Sequence, residues 1–221
     1  MKAMILAAGR GERLRPLTDH VPKPLVKVNE KSLIQYHIEN LARIGVQDIV
    51  INLAWLGDKI IHALGSGEQW GVRLHYSQEE TALDTGGGIK HALPLLGDAP
   101  FLVINGDIFI DELPSLPALK QEQQAYVWLV DNPTHNPRGD FCLVNEKVKT
   151  SGYNMLTFSG IGLYCPSFFS QCEDNSFPLG PLLRKKMEQN TVLGTHMTTF
   201  WCDVGTIDRL DALEKRLAVD A

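Results

Sequence analysis

The feature that most constrains the fold is an apolar run followed at once by a loop of small residues, at positions 3–17. Residues 3–6 (Ala-Met-Ile-Leu) predict a buried first strand. In the loop, Gly9 and Gly11 allow the tight backbone path that turns successive N–H groups inward, a geometry that binds anions such as phosphate. Ala8 and Gly9 have so little side chain that a flat ring could lie against the backbone. The segment therefore predicts a strand that leads into a phosphate-binding loop.

Basic side chains follow the glycines. Arg13 and Arg15 carry guanidinium groups that match phosphate oxygens, and Lys23 is a cation on a stiff support between two prolines. Two common glycine loops are excluded, because Leu14 replaces the third glycine of a dinucleotide-binding loop and the Gly-Lys-Ser/Thr of a P-loop is absent. The alternative is a basic surface turn, which the Pro-Lys-Pro-Leu around Lys23 makes less favourable.

Strands and helices are predicted to alternate through the first hundred residues. In chain order, hydrophobic patterning predicts strands or helices at 25–28 (strand), 33–44 (helix, capped by Ser32), 48–53 (strand), 56–64 (helix), 72–76 (strand), 89–96 (helix) and 101–104 (strand). This order predicts a parallel sheet with right-handed crossovers, and ligands at the carboxyl ends of its strands. The fold class is therefore α/β.

The second half of the chain predicts further strands and two helices. Residues 125–130 predict a strand, whereas 141–148 and 156–164 predict strands of a small layer on the substrate side. The remaining predicted elements are a helix at 178–187, a strand at 192–193, an aromatic strand ending at Asp203 and a helix at 207–217.

Three acidic residues follow predicted strands or lie in long connectors. Asp107 ends a buried strand after Asn105 and a glycine, so its carboxylate could reach a metal ion. Mg²⁺ usually takes one or two carboxylates together with phosphates. Asp203 lies in Asp-Val-Gly-Thr, and Asp140 lies in the polar, proline-rich connector 132–141. A turn or a helix cap is the alternative for each of them.

The opening motifs resemble the signature of the sugar-1-phosphate nucleotidyltransferases, which join a nucleoside triphosphate to a sugar 1-phosphate and release pyrophosphate. The residues that carry the resemblance are Leu6-Ala7-Ala8-Gly9-x-Gly11-x-Arg13, then Pro16-Leu17-Thr18, then Pro22-Lys23-Pro24-Leu25. It implies a Rossmann-like, mostly parallel mixed sheet flanked by helices, of the glycosyltransferase-A type. Glu12 departs from the family, in which many members have Thr or Ser, and the change matters only if a hydroxyl contacts the phosphate.

The resemblance also implies roles for individual residues. Lys23 and Arg13 would be catalytic, and Asp107 and Asp203 would hold Mg²⁺. Nucleotide contacts would come from Ala8, Gly9, Gly11, Glu12, Arg13, Lys23 and from Gly86 or its neighbours, and sugar-phosphate contacts from Asn105 and Asp140. For Gly86, which precedes the predicted helix, a plain N-terminal turn capped by Thr85 is an equal alternative. No basic residue for the sugar phosphate is identified, since Glu146-Lys147-Val148 lacks the proline of the family's Glu-Lys-Pro.

The substrates are a further inference from resemblance. Segments 84–88, 92–100 and 138–141 resemble family members that use UTP to transfer a uridylyl group to a muramic acid 1-phosphate during cell-wall recycling. Mannose-1-phosphate guanylyltransferases, which share the opening loop, are the alternative. A nucleotide-sugar-binding regulatory protein is the alternative from a different class, and the intact Lys23, Asp107 and Asp203 favour an enzyme.

Length and composition set the remaining expectations. At 221 residues the chain predicts a single nucleotidyltransferase domain, 1–221, with a β-rich sugar-binding subregion at roughly 132–200. A net charge of −5 argues against a nucleic-acid partner, and no apolar run approaches the roughly 20 residues of a membrane span. Four cysteines without metal spacing and the absence of a signal-peptide pattern predict a reduced, cytoplasmic protein. Monomer and small homo-oligomer both stay open.

Overall fold

The computed structural model describes residues 1–219. Its strands are β1 Lys2–Leu6, β2 Lys27–Val28, β3 Lys31–Ser32, β4 Asp48–Leu53, β5 Arg73–Gln78, β6 Phe101–Asn105, β7 Ile108–Ile110, β8 Ala125–Val130, β9 Phe141–Val144, β10 Lys147–Lys149, β11 Met155–Tyr164, β12 Val192–His196 and β13 Trp201–Asp203. Its helices are α1 Leu33–Arg43, α2 Gly57–Leu64, α3 Asp84–Leu96, α4 Leu179–Glu188 and α5 Ile207–Val219.

A nine-stranded sheet in the order β5-β4-β1-β6-β11-β8-β12-β10-β9 forms the centre of the fold. The pairs β5–β4, β4–β1 and β1–β6 are parallel, as the alternation of strands and helices predicts. Only β10 and β11, among the sheet strands of residues 1–219, run opposite to the others. The predicted mixed, mostly parallel α/β sheet is therefore confirmed.

The expectation of a separate small layer at residues 141–164 is wrong. The ten-residue strand β11 lies between β6 and β8 in the middle of the sheet, where most of its side chains are buried. Strands β9 and β10 extend the same sheet at one edge. Since β11 offers a long buried run, pairing with two buried strands satisfies its backbone better than an exposed hairpin would. The β-rich subregion is thus continuous with the main sheet.

Helices cover both faces of the sheet, and the alternation of side chains along β1 shows how. Ala3 and Ile5 point to the core formed with α1 and α2, whereas Met4 points to the core formed with α3 and α4. A third apolar cluster joins α5 to the β7–β13 ribbon and to the start of α1. No helix among residues 1–219 combines the length and the apolar character needed to cross a lipid bilayer.

The boundaries of α3 and β2 differ from the sequence prediction in a way that affects the site. Helix α3 begins at Asp84 rather than at Ile89, so the three glycines 86–88 lie inside its first turns. The strand predicted at 25–28 is only Lys27–Val28, because Lys23–Leu25 form a 3-10 turn. The predicted cap of α1 is present, since the Ser32 backbone N–H donates to the Gln35 side chain in a capping box.

Candidate active site

A cavity of about 520 Å³ opens where β1 and β6 end. This is the edge of a parallel sheet at which ligands bind, and the volume suits a nucleotide-sized molecule. Residues far apart in the sequence meet here. Those named by the sequence analysis that line the cavity are Ala8, Gly9, Gly11, Glu12, Arg13, Lys23, Asn105 and Asp107.

The glycine loop takes the backbone path that its sequence predicts. Gly11 has φ of 68° and is followed by a 3-10 turn at Glu12–Leu14. An alternation of left- and right-handed residues is the geometry of an anion-binding nest. Thr18 Oγ1 donates to the Gly11 carbonyl at 2.8 Å, and a Cβ on Gly11 would lie 3.0 Å from Lys23 Cβ. The loop is therefore packed directly on the segment that carries Lys23.

Lys23 and Asp107 form an ion pair inside the cavity. Lys23 Nζ lies 2.7 Å from Asp107 Oδ2, and the two side chains are 10% and 35% exposed. Gly106 makes this approach possible, because its N–H donates to the Leu6 carbonyl at 2.9 Å and a Cβ there would lie 2.5 Å from the same oxygen. The cation and the carboxylate are thus placed together by the ends of two neighbouring strands.

The two arginines of the opening loop differ. Arg13 is exposed and lines the cavity. Arg15 does not: its Nε lies 2.9 Å from Asp19 Oδ1, in a surface ion pair one helical turn away. Arg10 also lines the cavity, with its guanidinium 4.4 Å from the centre of the Trp55 ring. The expectation that Arg15 serves the phosphate is therefore wrong, whereas Arg13 is placed to do so.

Gly86 does not lie where a base contact was expected. It is buried, its N–H donates to the Phe177 carbonyl at 2.9 Å, and a Cβ would lie 2.3 Å from the Phe177 ring. The neighbours Ala82, Asp84 and Thr85 line the cavity instead. Gly86 is small because a second segment packs on it, so of the predicted choice between Gly86 and its neighbours only the neighbours line the cavity.

A buried polar pair that the sequence did not point to, Asn52 and Glu79, lines the same cavity. Asn52 Oδ1 accepts from the Ala7 N–H at 2.8 Å, and Asn52 Nδ2 donates to Glu79 Oε1 at 2.7 Å. Glu79 Oε2 in turn accepts from the Leu83 N–H at 3.0 Å, although the residue is only 4% exposed. Polar residues at the carboxyl ends of β4 and just after β5 are the signal that could have found them. The pair fixes both walls of the cavity.

Asp203 lies beside Asp107 in the backbone but points into different surroundings. The Val204 N–H donates to the Asp107 carbonyl at 2.7 Å, in the ribbon that β7 and β13 form. The Asp203 carboxylate contacts His135 Nε2 at 3.0 Å and Arg209 Nη1 at 3.1 Å. It lines a second cavity of about 410 Å³, whereas Gly205 lines the first.

The surroundings of these acids decide what ions they could hold. Within residues 1–219, no group of three or more His, Cys, Asp or Glu side chains is arranged to hold a metal. Asp107, in the turn before β7, and Asp203, at the end of β13, carry carboxylates, the ligand type that Mg²⁺ takes together with phosphate oxygens and water. Burial, together with the neighbouring Asp203 carboxylate, raises the pKa of the Cys202 thiol to about 12. The carboxylates thus suit an ion that takes its other ligands from a bound molecule and from water, rather than a metal site built from protein side chains alone.

A third cavity, of about 260 Å³, adjoins the first and shares Thr85 and Asn105 with it. Asp140 lines it, as expected for a sugar contact. Its Oδ2 accepts from the Phe158 N–H at 2.9 Å, and its Oδ1 from Asn136 Nδ2 at 3.2 Å. The carboxylate is therefore held in place by the protein and still faces the cavity.

Comparison with known proteins agrees with this geometry. The nucleotidyl transferase family model matches residues 2–151. A Neisseria meningitidis protein described as N-acetylmuramate alpha-1-phosphate uridylyltransferase is 50% identical over 220 residues, which cover 95% of each chain. A mannose-1-phosphate guanyltransferase of Aspergillus fumigatus is 45% identical over 114 residues, which cover 50% of this chain and 31% of its own.

The fold also matches a solved structure. A Bacillus anthracis protein described as a candidate glucose-1-phosphate thymidylyltransferase superposes with a TM-score of 0.85 over 100% of this chain and 96% of its own. The sequence identity is 22%, so this likeness concerns the fold alone.

Proposed function

The chain belongs to the nucleotidyl transferase family, and from that membership we propose that it transfers a uridylyl group from UTP to N-acetylmuramate α-1-phosphate. The products would be UDP-N-acetylmuramate and pyrophosphate. The observation that carries this substrate pair is the near full-length match to the Neisseria meningitidis enzyme. The continuous first and third cavities support it, because they offer room for a nucleotide and for a sugar.

In the proposed reaction, a phosphate oxygen of the sugar 1-phosphate attacks the α-phosphorus of UTP. A new P–O bond forms there, and the bond from the α-phosphorus to the bridging oxygen breaks, so pyrophosphate leaves with that electron pair. No protein nucleophile is needed, because the attacking oxygen is already anionic. The obstacle is the repulsion between two anions, and the enzyme's task is alignment and charge neutralisation.

The residues of the first cavity suit this task. Lys23, almost buried and fixed between two prolines, would neutralise the α-phosphate as charge builds. Arg13 and the backbone of the Gly11 turn would bind the β- and γ-phosphates that leave. Ala8 and Gly9 leave the loop flat, and a Cβ added to Gly9 would meet nothing within 4 Å, which leaves space for a base.

We also propose that Asp107 and Asp203 hold Mg²⁺ when the nucleotide is bound. A bound Mg²⁺ would supply charge neutralisation across the two reacting phosphates. Asp107 would exchange its contact with Lys23 for the metal, and Asp203 would leave Arg209 and His135. Lys23, once released, would stay in the first cavity, where its positive charge can face the phosphates.

The proposed reaction returns a recovered cell-wall sugar to a nucleotide-activated form, as peptidoglycan recycling requires. Because UTP is a cytoplasmic metabolite, we place the protein in the cytoplasm. The four cysteines are free, in keeping with a reducing compartment.

Mannose-1-phosphate guanylyl transfer is the second candidate, favoured by the Aspergillus fumigatus match over half of the chain. Pyrophosphate release should be measured with UTP, GTP, dTTP and ATP, each against N-acetylmuramate α-1-phosphate and mannose 1-phosphate. The proposal expects UTP with the muramic acid phosphate to be turned over fastest, and expects EDTA to abolish release. Fastest turnover of GTP with mannose 1-phosphate would replace the proposal with the second candidate.

A further inference from the structure

The third cavity contains a cation that a neutral sugar would not need. Arg184 lines it, together with Asp140 and a wall of apolar side chains. The guanidinium carbon lies 5.0 Å from the centre of the Phe141 ring. Arg184 is exposed, and within residues 1–219 no carboxylate or carbonyl is paired with its guanidinium, which leaves its N–H donors available.

The surroundings keep space beside this side chain. Gly180 lies one turn before Arg184 on α4 and also lines the cavity. A Cβ at Gly180 would meet nothing within 4 Å, so the glycine leaves the approach to the guanidinium open. The apolar wall, made of Phe141, Phe158 and Leu183, faces the same space.

The position of Arg184 separates it from the reacting phosphates. Lys23, Arg13 and Asp107 line the first cavity and Arg184 does not, whereas Thr85 and Asn105 line both cavities. A sugar 1-phosphate whose phosphate lies near Lys23 would therefore extend its ring into the third cavity. Asp140 offers an acceptor for sugar hydroxyls there, and Arg184 offers a donor for an anion carried by the sugar itself.

We propose that Arg184 is a specificity-determining residue that binds the lactyl carboxylate of N-acetylmuramate α-1-phosphate. This inference rests on the proposed function. N-acetylmuramate differs from N-acetylglucosamine by one lactyl ether, which adds a methyl group and a carboxylate. The carboxylate matches the fork of a guanidinium, and the methyl groups of the lactyl and acetyl substituents match the apolar wall. A site built to bind a charged group rejects the analogue that lacks it, since its own donors are then left unpaired.

The test compares two sugar phosphates with two variants. Arg184→Gln removes the charge and shortens the side chain, while a polar amide end is kept. Lys185→Gln, at the next position of the same helix, makes the same charge change on an exposed residue that does not line the cavity. Turnover of UTP is measured with N-acetylmuramate α-1-phosphate and with N-acetylglucosamine α-1-phosphate for the wild type and both variants.

Arg184→Gln should lower kcat/KM for the muramic acid substrate by roughly 10- to 100-fold, mainly through KM, as loss of a charge-assisted hydrogen bond does. Its kcat/KM for the N-acetylglucosamine substrate should stay within about twofold of the wild type. Lys185→Gln should change neither value. Converting the lactyl carboxylate of the substrate to its methyl ester should lower kcat/KM of the wild type by a similar factor. The same conversion should not lower kcat/KM of Arg184→Gln.

Equal losses for both sugars in Arg184→Gln would overturn the inference, because they would mark a structural role. A wild type that uses both sugars equally well would also overturn it, while leaving the transferase activity intact. Absence of pyrophosphate release by the wild type with any substrate pair would instead defeat the proposed function. Calorimetric binding of the two sugar phosphates to wild type and Arg184→Gln then gives the same comparison without turnover, so the two failures are distinguishable.

Discussion

Replacing Lys23 by methionine should move two measurable quantities in opposite directions. Methionine keeps the length of the side chain and removes the charge that lies 2.7 Å from Asp107 Oδ2. Without that charge the transferred phosphate loses its neutralising partner, and turnover should fall. The Asp107 carboxylate, however, is released from its ion pair, and a divalent cation should bind to the variant more tightly than to the wild type.

The sizes of both effects follow from the geometry. A hydrogen bond to a charged group contributes about 1.5–3 kcal/mol when well shielded. Asp107 is 35% exposed, so solvent reduces the contact to about 1–2 kcal/mol. Divalent cations should therefore bind Lys23→Met about 5- to 30-fold more tightly in the absence of nucleotide. Removing one preorganised charge from a transition state typically lowers kcat by about 100- to 1,000-fold.

Two assays separate these effects. Mn²⁺ binding, followed by electron paramagnetic resonance, gives the metal affinity, and pyrophosphate release gives turnover. Unfolding in urea checks that the variant is folded. Unchanged Mn²⁺ affinity would refute the idea that Lys23 competes with the metal for Asp107. Turnover within threefold of the wild type would remove Lys23 from the catalytic scheme.

Four further perturbations test the packing and the charges around the site. Gly106→Ala should reduce the free energy of unfolding by about 1–3 kcal/mol in urea titrations, because its Cβ would lie 2.5 Å from the Leu6 carbonyl oxygen. In Gly9→Ala the added Cβ meets nothing within 4 Å, so the free energy of unfolding should stay within about 0.5 kcal/mol of the wild type. Turnover should nevertheless fall, because the methyl group fills the space for the base. A stable and fully active variant would contradict this assignment. Arg13→Gln should reduce turnover at least about 10-fold, because Arg13 lines the first cavity. Arg15→Gln loses only a surface ion pair and should leave turnover unchanged. Equal losses of pyrophosphate release in the two variants would contradict these positions. Burial lowers the pKa of His37 from 6.5 to about 4, so the imidazole stays neutral in the fold. The free energy of unfolding should therefore fall by up to about 3 kcal/mol as the pH drops from 6.5 to 4. In His37→Leu that part of the pH dependence should disappear, and an unchanged pH profile would show that His37 is not its source.

Much of the fold follows from local patterns that the sequence shows openly. The buried runs of β1, β4 and β6 and the helical spacing of α1 are strong signals, and their order determines which strands run parallel. The position of β11 is different, because its partners β6 and β8 are chosen by long-range packing. Periodicity identifies such a strand but does not say which neighbours it joins.

The residues of the candidate site likewise include some that local sequence patterns identify and some that only long-range packing places. Gly9, Gly11, Lys23 and Asp107 could be named because motif and strand end coincide, and the structure brings them to one cavity. The burial of Gly86 could not be foreseen, since it depends on Phe177, which is distant in the sequence. Arg184 was not identified from the sequence, because its position beside Phe141 and Asp140 also depends on segments that are distant in the chain.

Ion-pair partners are the least visible feature of the sequence. Arg15 looks like a second phosphate ligand until Asp19 is seen beside it, and Asp203 looks like a free carboxylate until Arg209 and His135 are seen. Such pairings depend on side-chain geometry, which residue type and spacing do not specify. Where a charged residue has several possible partners, only the three-dimensional arrangement chooses among them.

In the proposed reaction, Asp107 and Asp203 hold one divalent cation beside the reacting phosphates. The most direct test is a crystal structure with Mn²⁺, a non-hydrolysable UTP analogue and the sugar 1-phosphate, with anomalous scattering used to locate the metal. The proposal predicts one Mn²⁺ peak within bonding distance of both carboxylates, with the Asp203 carboxylate moved away from Arg209 and His135. A metal bound at Asp107 while Asp203 keeps its contacts with Arg209 and His135 would contradict it.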